Sequence, residues 1–269
     1  MKRAVGETPW VRRSLIAIAV GFFVLFMVVP LGVVFAIAVR DGIAPYLAAI
    51  TTPDAKSAIK LTLLVAGIAV PLNIGFGIAA AWSLARFKFP GRRALLTLID
   101  IPFAVSPVVV GMMFILLFGA HGYLHSSHKI VFAVPGIVLA TTFVTIPFVA
   151  RALIPALEAR GPEQELAALT LGASPWQTFW RVTLPGLRWP LAYGAILSTA
   201  RAIGEFGAVS VVSGHIRGET NTVPLHIEIL YNDFQYQAAF AVATILVVLA
   251  LATVVLQRVV EWRAERNRV

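Results

Sequence analysis

Residues 163–172 read Glu163-Gln164-Glu165-Leu166-Ala167-Ala168-Leu169-Thr170-Leu171-Gly172, and the chain runs on to Val182-Thr183-Leu184-Pro185. This stretch decides the architecture, because the chain on either side of it is overwhelmingly apolar. Pro162 suits the first turn of a helix, and Glu163 and Glu165 suit the positive end of its dipole. Gly172 supplies a stop. Ser174-Pro175-Trp176-Gln177 then signals a second short helix, with serine as N-cap, proline at the first helical position and glutamine closing a capping box. The pattern predicts two short amphipathic helices about a glycine hinge. Together they present an apolar and aromatic knob (Leu169, Leu171, Trp176, Phe179, Trp180) to something outside the chain.

Outward from this stretch the sequence is that of an all-α integral membrane protein. Of its 269 residues, 59% are hydrophobic and 13% charged, with a mean hydropathy of +0.85. There is no cysteine, so disulfides, thiolate metal sites and a cysteine nucleophile are excluded. Apolar runs long enough to cross a bilayer core of about 30 Å are expected near 14–39, 61–85, 95–118, 131–150, 189–212 and 238–256. That makes six transmembrane helices in a single polytopic domain, 1–269, with the opening stretch in a loop near 160–188. Lys2, Arg3, Arg12 and Arg13 ahead of the first run imitate a signal peptide, but a signal core spans only about 7–15 residues, so an uncleaved anchor is expected.

The basic residues orient these spans. Sixteen of the 22 Lys and Arg fall at the two termini and in the second-to-third and fourth-to-fifth connections; five fall in the other connections, and Arg201 lies within a span. The positive-inside rule then places both termini and the opening stretch in the cytoplasm. The net charge of +9 is thereby accounted for as an orientation signal, and nucleic acid is not an expected partner.

No nucleotide-binding P-loop pattern and no H-E-x-x-H occur, so no catalytic residue and no resident metal or cofactor is expected. His121, His125 and His128 are spaced for one helical face, yet the short loop that carries them holds no carboxylate, and solvated loop histidines are the plainer reading. Arg201 falls about 18 Å into its span, with Glu205 one turn on. An ionised group at that depth faces protein or a wet pathway. Two readings stay open: a structural ion pair, or an electrostatic element of an anion path. Pro71 with Asn73, and Pro102 and Pro107 with Ser106, free backbone carbonyls inside spans. Either they are kinks in packed helices, or Asn73 and Ser106 line a polar path. The polar segment 214–237, with Arg217, Thr220, Asn221 and Thr222, is read as a solvated outward loop or a docking surface.

The opening stretch resembles the signature loop of permease subunits of bacterial ABC importers: Glu-Ala-Ala, three residues, Gly, nine residues, a β-branched residue, one more, Leu-Pro. Ala167, Ala168, Gly172, Val182, Leu184 and Pro185 match; the pattern's glutamate falls on Leu166, and Glu165 stands one residue early. Ala200-Arg201-Ala202-Ile203-Gly204-Glu205-Phe206-Gly207, Val212-Ser213-Gly214-His215-Ile216-Arg217-Gly218-Glu219-Thr220 and Ile101-Pro102-Phe103-Ala104-Val105-Ser106-Pro107 are similar to the W-type permease subunits of sulfate/thiosulfate importers. Molybdate and tungstate permeases share the Arg-Ala-x-Gly-Glu-Phe-Gly core. The resemblance implies a type I ABC importer permease fold in the inner (plasma) membrane and import of sulfate and thiosulfate. It also implies a heterodimer with a T-type permease, two copies of an ATPase holding the ATP-Mg, and an external (periplasmic or extracellular) sulfate-binding protein. Glu165, Ala167, Ala168, Gly172, Leu184 and Pro185 would then couple to the ATPase, while Arg201, Glu205, Ser106 and Asn73 are the pathway candidates. A secondary transporter or channel is the other class, against which stands the lack of any visible internal repeat.

Overall fold

The computed structural model describes residues 8–124 and 129–266, whose regular elements are all helices, with no strand among them. The first element is a 30-residue rod, Pro9–Ala38, made of α1 (Pro9–Phe23), a π turn at Val24–Val28 and α2 (Val29–Ala38). Pro30 lies at the start of α2; its ring and missing N–H disturb the preceding helical turn, and the π turn absorbs the defect. After α3 (Ile43–Thr51), the 34-residue α4 (Pro53–Arg86) opens with Thr52 Oγ1 accepting from Ala55 N at 3.2 Å and Asp54 in its first turn.

Next comes an elbow. The expected third span is two helices, α5 (Arg92–Ala104) and α6 (Pro107–Phe118), bent by 109°. Val105 and Ser106 have ψ of 134°, because a residue before proline is driven out of the helical region and Pro107 cannot donate a helical hydrogen bond. This is far more than the kink that prolines usually impose. The longest apolar packing seam joins α4 to α7 (Val134–Arg160). Small side chains make it possible: Ala80 and Ala81 are buried against Val149, Ala150 and Leu153, and a Cβ on Gly77 would stand 2.6 Å from Val149 Cγ1.

The opening stretch follows as α8 (Glu163–Thr170), α9 (Pro175–Thr178), a π turn at Phe179–Thr183 and α10 (Leu184–Gly186). The chain continues through α11 (Arg188–Ile203), α12 (Gly207–Val212), α13 (Val223–Asn232) and α14 (Tyr236–Arg266). Among the described residues, four helices are long and apolar enough to cross a membrane: Pro9–Ala38, Pro53–Arg86, Val134–Arg160 and Tyr236–Ala264; the elbow makes a fifth if counted as one span. The described helices thus give four spans, or five with the elbow, and two of the six expected runs are broken. The 95–118 run is sharply bent, and the 189–212 run is interrupted at Gly204–Phe206, where Gly and a buried glutamate end α11. Segment 214–237 is not a solvated loop either. It contains α13, and Thr220, Asn221, Thr222 and His226 are buried, with Val223 N donating to Thr62 Oγ1 on α4 at 2.9 Å.

Candidate functional site

Two places concentrate polar chemistry: the α8–α10 loop and the α11–α12 break. The loop forms by the local rules its sequence announces. Helix α8 ends in a Schellman arrangement, with Gly172 N donating to Leu169 O and Ala173 N to Ala168 O, both at 3.0 Å. Gly172 has a φ of +88°, a conformation open to glycine and strained for other residues. The capping box is complete, Gln177 N to Ser174 Oγ at 3.2 Å and Ser174 N to Gln177 Oε1 at 2.9 Å.

The expected knob is present with one member exchanged. Leu171 is 88% exposed, and Leu169, Trp176 and Trp180 are exposed beside it, as is Leu166. Phe179 is instead 8% exposed and stacks on Trp82 of α4 at 4.7 Å and 27°, because the π turn rotates it toward the bundle. Ala167 and Pro185 are exposed, while Ala168 and Leu184 are half-buried. Glu165 faces inward. Its carboxylate takes Arg86 Nε at 2.7 Å and Arg86 Nη2 at 3.3 Å, and accepts from Thr183 Oγ1 at 2.8 Å. Arg86 also donates to Leu157 O at 3.1 Å and Gly161 O at 2.7 Å. A lone arginine at the end of an apolar run reads in sequence as an orientation charge, so nothing there marks Arg86 as the partner of a residue 79 positions on.

At the break, Arg201 Nη1 lies 2.5 Å from Glu205 Oε2, with side-chain exposures of 33% and 1%. Glu205 Oε1 accepts from Ala208 N at 2.9 Å, so one carboxylate answers an arginine and caps the next helix. A Cβ on Gly207 would stand 2.9 Å from Pro107 Cβ, and one on Gly111 would stand 2.6 Å from Val211 Cβ. The elbow and the break are therefore neighbours, bringing exposed Ser106 to the region of Arg201 and Glu205. Asn73 is enclosed in the α4–α7 seam, fully buried, with Nδ2 donating to Thr145 Oγ1 at 2.6 Å. His121 is exposed in a turn; His125 and His128 lie outside the described residues. His226, read as a loop residue, is a buried helical one, and burial pushes its pKa below the ordinary value, against a smaller upward pull from Asp54 and beside a downward one from Arg217.

Residues 73–266 match the family described as binding-protein-dependent transport system inner membrane components, and the chain belongs to that family. It is 49% identical over 267 residues to the sulfate transport system permease protein CysW of Synechocystis sp., covering 97% of each chain. It is 48% identical to the CysW protein of Escherichia coli over 96% of this chain and 90% of that one. The Escherichia coli sulfate transport system permease protein CysT is 39% identical over 86% of this chain and 85% of that one. A solved bacterial ABC transporter involved in import of the acidic polysaccharide alginate superposes with a TM-score of 0.78 over 96% of both chains at 16% identity, a likeness of fold alone.

Proposed function

We propose that this chain is one membrane-spanning subunit of an ATP-driven importer that carries sulfate, and with it thiosulfate, inward across the inner membrane. The observation that carries the reading is the α8–α10 loop, whose exposed Leu171, Trp176 and Trp180 stand on helix ends that are internally capped. Its backbone needs no partner, and its apolar side chains do. The sulfate assignment draws on the near-full-length relatives.

In this reading the bent α5–α6 pair and the broken α11–α12 segment complete six crossings. Both termini and the loop face the cytoplasm, following the sixteen basic residues on that side. A T-type permease forms the second half of the pathway, two ATPase copies hold ATP-Mg against the loops, and an external binding protein delivers the anion. A bare dianion loses tens of kcal/mol of hydration in a medium of low dielectric constant, so it needs a polar gated path. Ser106 and the Arg201–Glu205 pair at the break supply its polar groups on this side. Closure of the ATPases presses on Ala167, Ala168, Gly172, Leu184, Pro185 and their exposed neighbours, and the helices rock between outward and inward openings. The chain itself performs no chemistry.

Uptake of labelled sulfate by the reconstituted complex tests this. Sulfate and thiosulfate should compete strongly, molybdate and tungstate weakly. Stronger competition by molybdate or tungstate would move the assignment to those oxyanions, and uptake independent of ATP would place the chain among secondary carriers.

A further inference from the structure

Helix α8 is tied to α7 covalently only through Gly161-Pro162, and Gly161 sits at φ +68°. A linker this short and permissive would let α8 swivel instead of passing force onward. Arg160, the last residue of α7, reaches across the linker to Gln164 of α8 in an exposed contact; the buried hold on α8 is Arg86, the last residue of α4. Its guanidinium is 11% exposed and spans three elements. It bonds Leu157 O and Gly161 O at the C-terminal end of α7, carbonyls that have no helical donor of their own, and it bonds both carboxylate oxygens of Glu165 on α8. Glu165, 14% exposed, is fixed from the other side by Thr183 Oγ1 of the π turn. Arginine's planar fork is suited to this job, since several donors in one rigid plane meet a carboxylate and two carbonyls at once.

We propose that Arg86, acting through Glu165, is the joint by which displacement of the coupling loop becomes displacement of the membrane helices α4 and α7. Both are positioning residues: neither touches nucleotide or anion, and Glu165 looks into its own chain instead of toward the ATPase. The departure at Leu166 is thereby given a sense. With leucine exposed at the signature position, the acid one residue earlier faces inward and serves the joint. The inference rests on the importer reading for the force that the joint transmits.

The test is the assembled complex in proteoliposomes, with ATP hydrolysis and sulfate uptake measured together. Arg86→Gln should leave assembly and hydrolysis in place and lower uptake per ATP hydrolysed about tenfold, as expected for losing charge-assisted bonds between moving parts. Arg86→Lys, which keeps the charge and loses the fork, should recover part of it. Should Arg86→Gln fail to assemble, Glu165→Gln and Thr183→Val remove less and should show the same uncoupling to a smaller degree. Unchanged uptake per ATP in every assembled variant would overturn the joint, and a fall in the amount of complex alone would reduce it to a packing role. Because the chain lacks cysteine, spin labels at Thr170→Cys on α8 and Ser83→Cys in the last turn of α4 report the α8-to-α4 distance without any substrate. That distance should stay narrow through the ATP cycle in the parent and broaden with Arg86→Gln. If it does so while sulfate is not transported, the joint stands and the substrate reading falls.

Discussion

The ion pairs Arg86–Glu165 and Arg201–Glu205 have similar lengths, 2.7 and 2.5 Å, and opposite constructions. The first joins residues 79 apart in sequence, both largely buried, with carbonyls and a hydroxyl completing the network. The second joins residues one turn apart across a broken helix, with its glutamate sealed and its arginine one-third exposed. A long-range pair with every member answered behaves as a fastener. A local pair whose cation is reachable from outside keeps a charge available where the backbone is already interrupted, which is what the proposed anion path would require.

The largest expected effect breaks the second pair. Arg201→Ala leaves Glu205 buried without its cation, and destabilisation of about 3 kcal/mol is expected in thermal unfolding of the purified complex, with uptake reduced as well. If uptake per assembled complex is normal, Arg201 belongs to packing only. Gly111→Ala acts on the same region without touching charge. Its Cβ would stand 2.6 Å from Val211 Cβ and 2.8 Å from Ala208 O, and prying α6 from α12 should cost about 1–3 kcal/mol by the same measurement. Equal uptake in the two variants at equal stability would remove the distinction between pair and packing.

In the α8–α10 loop, a Cβ on Gly172 would meet no atom within 4 Å, so Gly172→Val acts through the backbone at φ +88°. Strain of about 1–2 kcal/mol in the turn should displace α9 and abolish co-purification of the ATPase while leaving the membrane helices folded. An intact complex would count against the loop as the docking element. The smallest effect lies on α13. His226 is held neutral by burial, so the opened segment binds a proton more readily than the folded one. Stability is then full above the ordinary histidine pKa and declines as pH falls through it. Protection of the amides over 223–232, taken relative to the intrinsic exchange rate at each pH, should fall modestly between about pH 7 and 5.5, and His226→Gln should remove the dependence.

Most of the α8–α10 loop was legible, because caps and glycine stops act over a few residues: Gly172, Ser174 and Gln177 do what their types predict, and Pro162 stands one place early, at the N-cap of α8. Phe179 was misread since only the π turn sets which way it points. The elbow was half legible. Pro102 and Pro107 announced a disturbance, but the 109° bend depends on α6 having α12 to lie against, with Gly207 and Gly111 allowing the approach. Segment 214–237 was misread because a run of Arg, Gly, Thr and Asn resembles a loop until α4 offers Thr62 to receive it. Arg86 was invisible, since its partners lie on α7 and α8.

The sequence by itself determined that the protein is helical and membrane-embedded, and where its capped loop begins and ends, because hydropathy, capping and glycine preferences are local energies. It also placed Arg201 and Glu205 within reach of each other, since one helical turn brings them together. Only the tertiary structure decided that Glu165 turns inward to Arg86, that Asn73 closes a helix seam, and that two broken helices meet side by side. Those outcomes depend on which surfaces pack, and packing is settled between segments far apart in the chain.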